Sequence, residues 1–206
     1  GAHIGAMIAQ VARQCPDARI EAFEPIPEKV DRLRDKFPAV VVHQCALSDS
    51  QGTATFYVDL EQSAYSSLAR NSPQAKEIQV AVRTLDSMTD ATDVDVVKID
   101  VEGAELGVLR GATALLTRCR PVVMFESGPN ELLGYGKVDL WQFFHERQYG
   151  IYVPNRMAHT AAPMTCDCFL DSHAYPRRTT NYFAVPGERF QEVRARTRRI
   201  LKLHDA

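Results

Sequence analysis

Apolar and polar positions follow two alternating patterns along this chain. Short apolar runs typical of strands lie at residues 19–23, 40–43, 94–101, 122–125, 149–153 and 182–185, and residues 52–58 and 77–83 alternate with the two-residue period of strands and are expected to form an added hairpin. Stretches with the 3.6-residue period of helices lie at residues 4–15, 26–37, 104–116, 140–144 and 188–203, with Pro27 expected in the first turn of the second helix. Strands that alternate with helices favour an α/β fold with a doubly wound, mostly parallel sheet. No repeat or linker interrupts the pattern, so we predict a single domain over residues 1–206.

The run at residues 94–101 is the most informative of these strands. Its apolar residues predict a strand buried on both faces, as in a parallel sheet. Side chains alternate along a strand, so Lys98, Asp100 and Glu102 are expected on one side. Open α/β sheets bind ligands at the carboxyl ends of their strands, which makes these groups candidates for function. The alternative is an internal ion pair that only closes the strand end.

Composition limits the classes of function. The formal net charge is −2, which gives no general attraction to nucleic acid or to anionic membranes. No apolar run approaches the ~20 residues of a membrane span, and no signal segment is visible at the start. Five cysteines without framework spacing fit free thiols, so we expect a cytoplasmic protein. Cys166 and Cys168, with His159 and His173 nearby, fit a loop with two thiols better than a zinc site.

Several motifs occur in a fixed order along the chain. They are GAHIG at residues 1–5, AFEPIPEKVDRL at 22–33, ALSDSQGTATFY at 46–57, YSSL at 65–68, VRTLDSM at 82–88, VVKIDVEGAELGVLRGA at 96–112, RPVVMFE at 120–126 and NYFAVP at 181–186. Short glycine motifs are weak when they stand alone. Taken together in series, they resemble the FkbM-type S-adenosylmethionine-dependent methyltransferases. In one respect the chain departs from that pattern: it begins at the glycine loop, so the first strand of the Rossmann-like methyltransferase fold is expected to be lacking.

The resemblance implies S-adenosylmethionine as cofactor and assigns residues to its site. The glycine loop before the first helix would cradle the methionine part, through Gly1, Ala2, His3 and Gly5. Glu24, which precedes Pro25 at a strand end, would accept the ribose hydroxyls, although it also suits the start of a helix. A turn is expected at residues 46–49, and the resemblance places its Ala46, Leu47 and Ser48 beside the adenine. The alternative is that Ser48 and Asp49 form only a turn. Asp100 is a further candidate, for the amino group of the cofactor.

Methyl transfer to a hydroxyl needs a group that removes the hydroxyl proton. Asp100 and Glu102 are the candidate bases, with Lys98 adjusting their pKa values; if Asp100 holds the cofactor, Glu102 or His3 remains as base. By resemblance, the acceptor side is assigned to the loop of Tyr65, Ser66 and Ser67. Glu126 is a further acceptor-binding candidate, or a carboxylate that caps the next loop. A carboxylate-bound Mg²⁺ is conceivable, but we expect no metal.

We therefore predict an O-methyltransferase that acts on a hydroxyl of a small molecule or glycan. Alternatives are an N-methyltransferase, a non-catalytic cofactor-binding module that assists a partner enzyme, and a dinucleotide-dependent oxidoreductase. The oxidoreductase is disfavoured by a Gly-x-x-x-Gly loop where pyrophosphate binding prefers Gly-x-Gly-x-x-Gly. We expect no nucleic-acid partner and no stable membrane insertion. Residues 154–178 are predicted to form an acceptor loop, and residues 188–203 a basic helix docked by its apolar stripe.

Overall fold

The computed structural model of the chain describes residues 1–58, 68, 75–128, 135–174 and 179–203. They belong to two compact units. The first unit comprises Gly1–Thr89 with Gly107–Ala112, and the second comprises Asp90–Leu106 with Thr113–Ala206. That the whole chain is one domain stays a prediction.

The first unit begins with two helices and a pair of parallel strands. Helix α1 (Ala6–Gln14) leads to strand β1 (Glu21–Phe23), and helix α2 (Pro27–Lys36) leads to strand β2 (Val41–His43), which pairs with β1. Pro27 occupies the first turn of α2, as predicted, because its fixed φ suits that position. The predicted stripe of α1 is confirmed only at Ile8, which is buried, while Ile4 lies before the helix and is 61% exposed. The apolar side chains buried between these elements are Ile8, Ala22, Val30, Leu33 and Val42.

A three-stranded sheet completes the first unit. Strands β3 (Ala46–Leu47), β4 (Gly52–Val58) and β5 (Lys76–Arg83) adopt the order β3-β5-β4, and a short helix α3 (Leu85–Met88) follows. Strands β4 and β5 are antiparallel, which confirms the predicted hairpin, and β3 runs parallel to β5. Ala46 and Leu47, predicted as a turn, therefore form a short strand. Its buried core consists of Ile26, Ala46, Phe56, Val80 and Val82.

The helix predicted over residues 104–116 is interrupted. Helix α4 (Glu105–Arg110) and helix α5 (Thr113–Cys119) are separate elements. Between them, the Gly111 carbonyl accepts a hydrogen bond from the Asp86 backbone N–H at 2.9 Å. A Cβ on Gly111 would overlap the backbone oxygen of Ser48. The break thus follows from tight backbone packing, which the apolar periodicity of the sequence could not reveal.

The second unit contains a four-stranded sheet with the order β6-β7-β9-β8. Its strands are β6 (Val96–Ile99), β7 (Val122–Glu126), β8 (Tyr149–Tyr152) and β9 (Asn181–Pro186). Strand β6 pairs with β7 in parallel, and the other two pairings are antiparallel. The prediction that β6 is buried on both faces is wrong at its start, because Val96 is 61% exposed and only Ile99 is fully buried.

Three helices accompany this sheet: α6 (Lys137–Glu146), α7 (Cys166–Asp171) and α8 (Phe190–Ile200). Helix α7, whose N-cap Thr165 accepts the Cys168 backbone N–H, lies within the segment predicted as a loop, so that prediction is wrong here. The predicted docking of α8 is confirmed for its first turn: Phe190 stacks on Tyr152 with ring centroids 4.6 Å apart. None of the helices in the described ranges is long and apolar enough to cross a membrane.

The observed elements confirm the α/β class. Among the described residues the strands form three sheets, so the pairing is more divided than in the single sheet predicted. Parallel pairs (β1–β2, β3–β5 and β6–β7) and antiparallel pairs occur together. Glu126 is the last residue of β7 and Asp100 directly follows the last residue of β6, so carboxyl groups that the sequence singled out lie at the ends of this parallel pair.

Replacement of Gly111 by Ala should destabilise the chain by about 2 kcal/mol, because the added Cβ overlaps a backbone atom that cannot yield cheaply. Urea unfolding followed by circular dichroism measures the loss. Gly128→Ala is the matched control, since a Cβ at Gly128 has no neighbour within 4 Å. Equal unfolding midpoints for the two variants would contradict this account of the helix break.

Candidate active site

Carboxyl groups gather at the ends of two neighbouring parallel strands of the second unit. Strand β6 ends at Ile99, which lies opposite Phe125 of β7. Asp100 and Glu102 follow β6 in the turn before α4, and Glu126 is the last residue of β7. The structure therefore brings together the candidates that the sequence placed on different strands, at the edge where α/β sheets bind ligands.

Lys98 and Asp100 form an ion pair, with 2.6 Å between Lys98 Nζ and Asp100 Oδ2. Burial acts to raise the pKa of Asp100, but the hydrogen bond and the charge of Lys98 outweigh burial and hold that pKa below its usual value. The predicted influence of Lys98 is thus present at Asp100. As a consequence, Asp100 keeps its negative charge at neutral pH.

The pKa of Glu126 shifts in the opposite direction, upward. Burial, followed by the negative charge of Asp100, raises the pKa of Glu126, and a hydrogen bond links its side chain with that of Asp100. The pKa values of these two neighbouring carboxyl groups are therefore shifted apart: Lys98 lowers that of Asp100, and burial with the charge of Asp100 raises that of Glu126.

Glu102 has an unusual backbone conformation and a pKa close to neutral pH. Its φ is 51°, in the left-handed region that residues other than glycine seldom adopt. Burial, and then the charges of Asp100, Glu126 and Glu105, raise the pKa of Glu102 to about 7. A carboxyl group with this pKa exchanges its proton near neutral pH, which is the property required of a general base.

Glu105 and Tyr135 support the turn that carries Glu102. Glu105 is 5% exposed, and its carboxylate accepts the Gly103 backbone N–H at 3.1 Å and the Tyr135 hydroxyl at 3.0 Å. The Tyr135 oxygen in turn accepts the backbone N–H of Leu106. Burial and the charge of Glu105 raise the pKa of Tyr135, so its hydroxyl stays protonated. Neither residue was among the candidates from the sequence, although Glu105 lies in the longest motif. Tyr135 is 30 positions from Glu105 in the sequence, so their contact leaves no local signal.

In the first unit, the loop at residues 1–5 leads into α1. Gly5 is the N-cap with φ 78°, and a Cβ there would overlap the Phe37 ring and come within 2.8 Å of Leu33 Cδ2. The structure therefore explains this glycine by packing, whereas the sequence suggested room for a cofactor. No side chain caps α1 and no acidic residue lies in its first turn. Its first backbone N–H groups point out of the helix as potential donors to an anion.

Glu24 is buried against this loop with 3% exposure. Its Oε2 accepts the backbone N–H of His3 at 2.9 Å, and its Oε1 accepts the backbone N–H of Ile26 at 3.2 Å. Lys29 Nζ lies 2.8 Å from His3 Nδ1, and burial lowers the pKa of Lys29 against the opposing effect of Glu24. Gly1, Ala2, His3 and Glu24 are thus neighbours, and Glu24 fixes the loop conformation. Lys29 was not singled out in the sequence.

The remaining candidates differ in how far the structure describes them. Pro25 lies between Glu24 and the N-cap of α2. Ala46 is a buried core residue, and Ser48 donates its backbone N–H to Arg83, so this N–H is already engaged. Tyr65, Ser66 and Ser67 lie outside the described residues. Within the described ranges, no group of three or more His, Cys, Asp or Glu residues is arranged to hold a metal ion.

Comparison with known proteins shows the protein family of this chain. The model of the methyltransferase FkbM domain matches residues 1–151. The chain therefore belongs to the FkbM methyltransferase family. A crystal structure of methyltransferase FkbM from Methylobacillus flagellatus has the same fold, with a TM-score of 0.53 and 18% identity, over 89% of this chain and 41% of that chain.

Curated relatives carry methyltransferase names. Methyltransferase 1 of Beauveria bassiana is 30% identical over 138 residues, covering 54% of this chain and 55% of the relative. The hexuronic acid methyltransferase AglP of Haloferax volcanii is 33% identical over 118 residues, covering 52% of this chain and 46% of the relative. The chain spans about half the length of the curated relatives that it matches.

The raised pKa of Glu102 has a consequence for stability. The folded chain binds this proton more tightly than the unfolded chain, so the contribution to stability is full below the unfolded value of about 4.5 and is lost as pH rises to about 7. Glu102→Gln should therefore raise the melting temperature at about pH 8 and leave it nearly unchanged at about pH 4. Calorimetric melting at both pH values measures the difference.

Glu146→Gln serves as the control, because the Glu146 side chain is 56% exposed and outside the carboxyl cluster. This variant should show the same small effect at both pH values. A melting temperature of Glu102→Gln that tracks the parent chain at both pH values would contradict the raised pKa.

Proposed function

We propose that this chain transfers a methyl group from S-adenosylmethionine to a hydroxyl of a small molecule or glycan. Membership of the FkbM family supports the reaction class. The observation that carries the proposal of a hydroxyl acceptor is Glu102, a carboxyl group with a pKa of about 7 at the carboxyl end of a parallel strand. Such a group removes a proton from a neutral hydroxyl without being permanently protonated at neutral pH.

The residues of the first unit suit the chemistry of the cofactor. Its methionine carboxylate matches the uncapped N-terminus of α1, which offers backbone donors and the positive end of the helix dipole. The Glu24 carboxylate has more acceptor capacity than His3 and Ile26 use, which leaves lone pairs for ribose hydroxyls. Its burial means that only a ligand seated directly on the loop would reach it. For the amino group of the cofactor we propose Asp100, which retains its negative charge.

S-adenosylmethionine supplies an electrophilic methyl group on a sulfonium, so the difficult chemistry belongs to the cofactor. The protein has to orient an acceptor oxygen and remove its proton. We assign proton removal to Glu102. Burial and the negative charges of Asp100, Glu126 and Glu105 keep the pKa of Glu102 high enough for it to act as a base, and Lys98 keeps Asp100 ionised. Glu126, whose pKa is raised by burial and by Asp100, is proposed to contact the acceptor.

The class of acceptor follows from the relatives only in outline. The Haloferax volcanii relative is named a hexuronic acid methyltransferase, and this name favours a sugar as acceptor. A hexuronic acid is itself acidic, whereas the carboxyl groups around Glu102 favour a neutral acceptor, because like charges at short range are repulsive. We therefore propose a hydroxyl of a neutral sugar, with an acidic sugar as the comparison in the assay. Amine acceptors belong in the same assay, since they separate O-methylation from N-methylation.

Glu102→Gln should lower kcat by roughly 10²–10⁴-fold and leave S-adenosylmethionine affinity within about twofold, because the amide cannot accept the hydroxyl proton. The parent rate should rise with pH through an inflection near 7, as Glu102 loses its proton. This inflection should vanish in the variant. Steady-state rates across pH, with a panel of sugar, polyketide and amine acceptors, measure both effects.

Glu146→Gln again provides the matched control and should keep the parent profile. If Glu102→Gln weakens cofactor binding as much as it lowers the rate, Glu102 belongs to the cofactor site and not to proton transfer. Cofactor binding without turnover on any acceptor would favour the non-catalytic module.

Glu24→Gln should weaken S-adenosylmethionine binding by roughly 1.5–3 kcal/mol, because charged hydrogen bonds to the ribose become neutral or are lost. Isothermal titration with S-adenosylmethionine, S-adenosylhomocysteine and NAD measures the affinity. Glu21→Gln is the control: this side chain is exposed on β1, the strand that directly precedes Glu24, and contacts His43 at 3.1 Å. Unchanged affinity in a folded Glu24→Gln chain would remove the ribose role, and NAD displacing S-adenosylmethionine would overturn the cofactor assignment.

A further inference from the structure

Helix α8 has two chemically different sides. Phe190 and Val193 pack against the buried cluster of the second unit, and Phe190 stacks on Tyr152. Residues 188–203 also contain six arginines and lysines. Four of these are arginines beyond the first turn, and one of them, Arg198, donates to the Ala158 carbonyl oxygen at 3.4 Å.

A cavity of about 370 Å³ lies beside α8. Its lining residues are Gln191, Arg194, Ala195, Arg198, Arg199 and Leu203. Three of these are arginines and none is acidic. We call this surface the arginine groove. Its volume falls within the range of small-ligand sites, about 300–1,000 Å³.

Glu192, the acidic residue of α8, pairs with arginines that do not line the groove. It forms ion pairs with Arg189 at 3.3 Å and with Arg196 at 3.5 Å. Neither Arg194 nor Arg199, which line the groove, forms an ion pair with a carboxylate of the described residues. Two of the three arginines of the groove therefore lack an ion-pair partner in the part of the chain that the structure describes.

Arg194 provides the second, independent observation. Its Nε is shielded from solvent and has no hydrogen-bond partner within the described residues. Its Nη1 makes one long contact, 3.4 Å, with the side-chain oxygen of Gln191. Shielded guanidinium donors are normally paired, because an unpaired one loses its hydration without compensation. Arg194 thus has donor capacity that the described residues leave unused.

We propose that the arginine groove binds a phosphate group, a site separate from the carboxyl cluster and from the glycine loop. Guanidinium groups bind phosphate oxygens through paired, charge-assisted hydrogen bonds, and two or three of them around one cavity fit that geometry. The phosphate belongs either to a soluble phosphorylated compound or to a lipid headgroup. Both sources present the same oxygens to Arg194 and Arg199.

Titration of the full chain with inorganic pyrophosphate, at ionic strength held constant with NaCl, tests the site. Saturable binding is expected, together with a shift of the Arg194 Nε–H resonance in nitrogen-15 NMR spectra. The double variant Arg194→Gln/Arg199→Gln should bind roughly tenfold more weakly or worse, because charged hydrogen bonds are lost. Arg199→Gln alone, an exposed substitution that does not threaten folding, should show part of this loss.

Arg196→Gln is the matched control, since Arg196 lies on the same helix but pairs with Glu192 and does not line the groove. It should bind pyrophosphate like the parent chain. Equal weakening by Arg196→Gln, or no saturable binding by the folded parent, would overturn the proposal, because the attraction would then be only diffuse.

Phosphatidylcholine vesicles with and without phosphatidylglycerol separate the two sources of phosphate. Capture by anionic vesicles that pyrophosphate reverses supports a lipid headgroup, and pyrophosphate binding without capture supports a soluble ligand. Capture that pyrophosphate does not reverse, and that persists in the double variant, would overturn the groove as the binding site.

Discussion

The ion pair between Lys98 and Asp100 is the interaction on which the candidate active site depends. By holding Asp100 in its ionised form, Lys98 places a fixed negative charge beside two further carboxyl groups. That charge contributes to raising the pKa of Glu126 and of Glu102. Together with burial, a single lysine near the end of a parallel strand thereby moves the pKa values of three carboxyl groups apart, which is how a site obtains different acid and base roles from the same type of side chain.

The first unit uses a buried carboxylate differently. Glu24 binds the backbone N–H groups of His3 and Ile26, and so ties the glycine loop to the start of α2. A carboxylate buried in this way is stable because backbone donors replace its water. The same residue is proposed to bind the cofactor, so loop conformation and cofactor affinity are expected to be coupled. Gly5 and Gly111 show that close backbone or ring packing, not ligand access, explains two of the glycines in the motifs.

Several elements could be predicted from the sequence because their signals are local. The hairpin of β4 and β5 follows from residue alternation, and α2 from its proline and apolar period. The break between α4 and α5 could not be predicted, because it results from contact with Ser48, far away in the chain. Helix α7 was mistaken for a loop, since six residues contain too few turns to show a period. The roles of Glu105 and Tyr135 could not be predicted for a similar reason: their hydrogen bond joins positions that are distant in sequence.

By itself, the sequence determined the α/β class, the order of most elements, the family resemblance and the strand ends at which ionisable residues concentrate. These properties depend on period, composition and short motifs, which are local along the chain. Only the tertiary structure decided which carboxyl groups shift one another's pKa values, that Glu24 is buried on the glycine loop, and that Arg194 has a shielded donor without a partner among the described residues. Protonation and pairing depend on burial and on distances of a few ångströms between residues remote in sequence, and folding alone sets those distances.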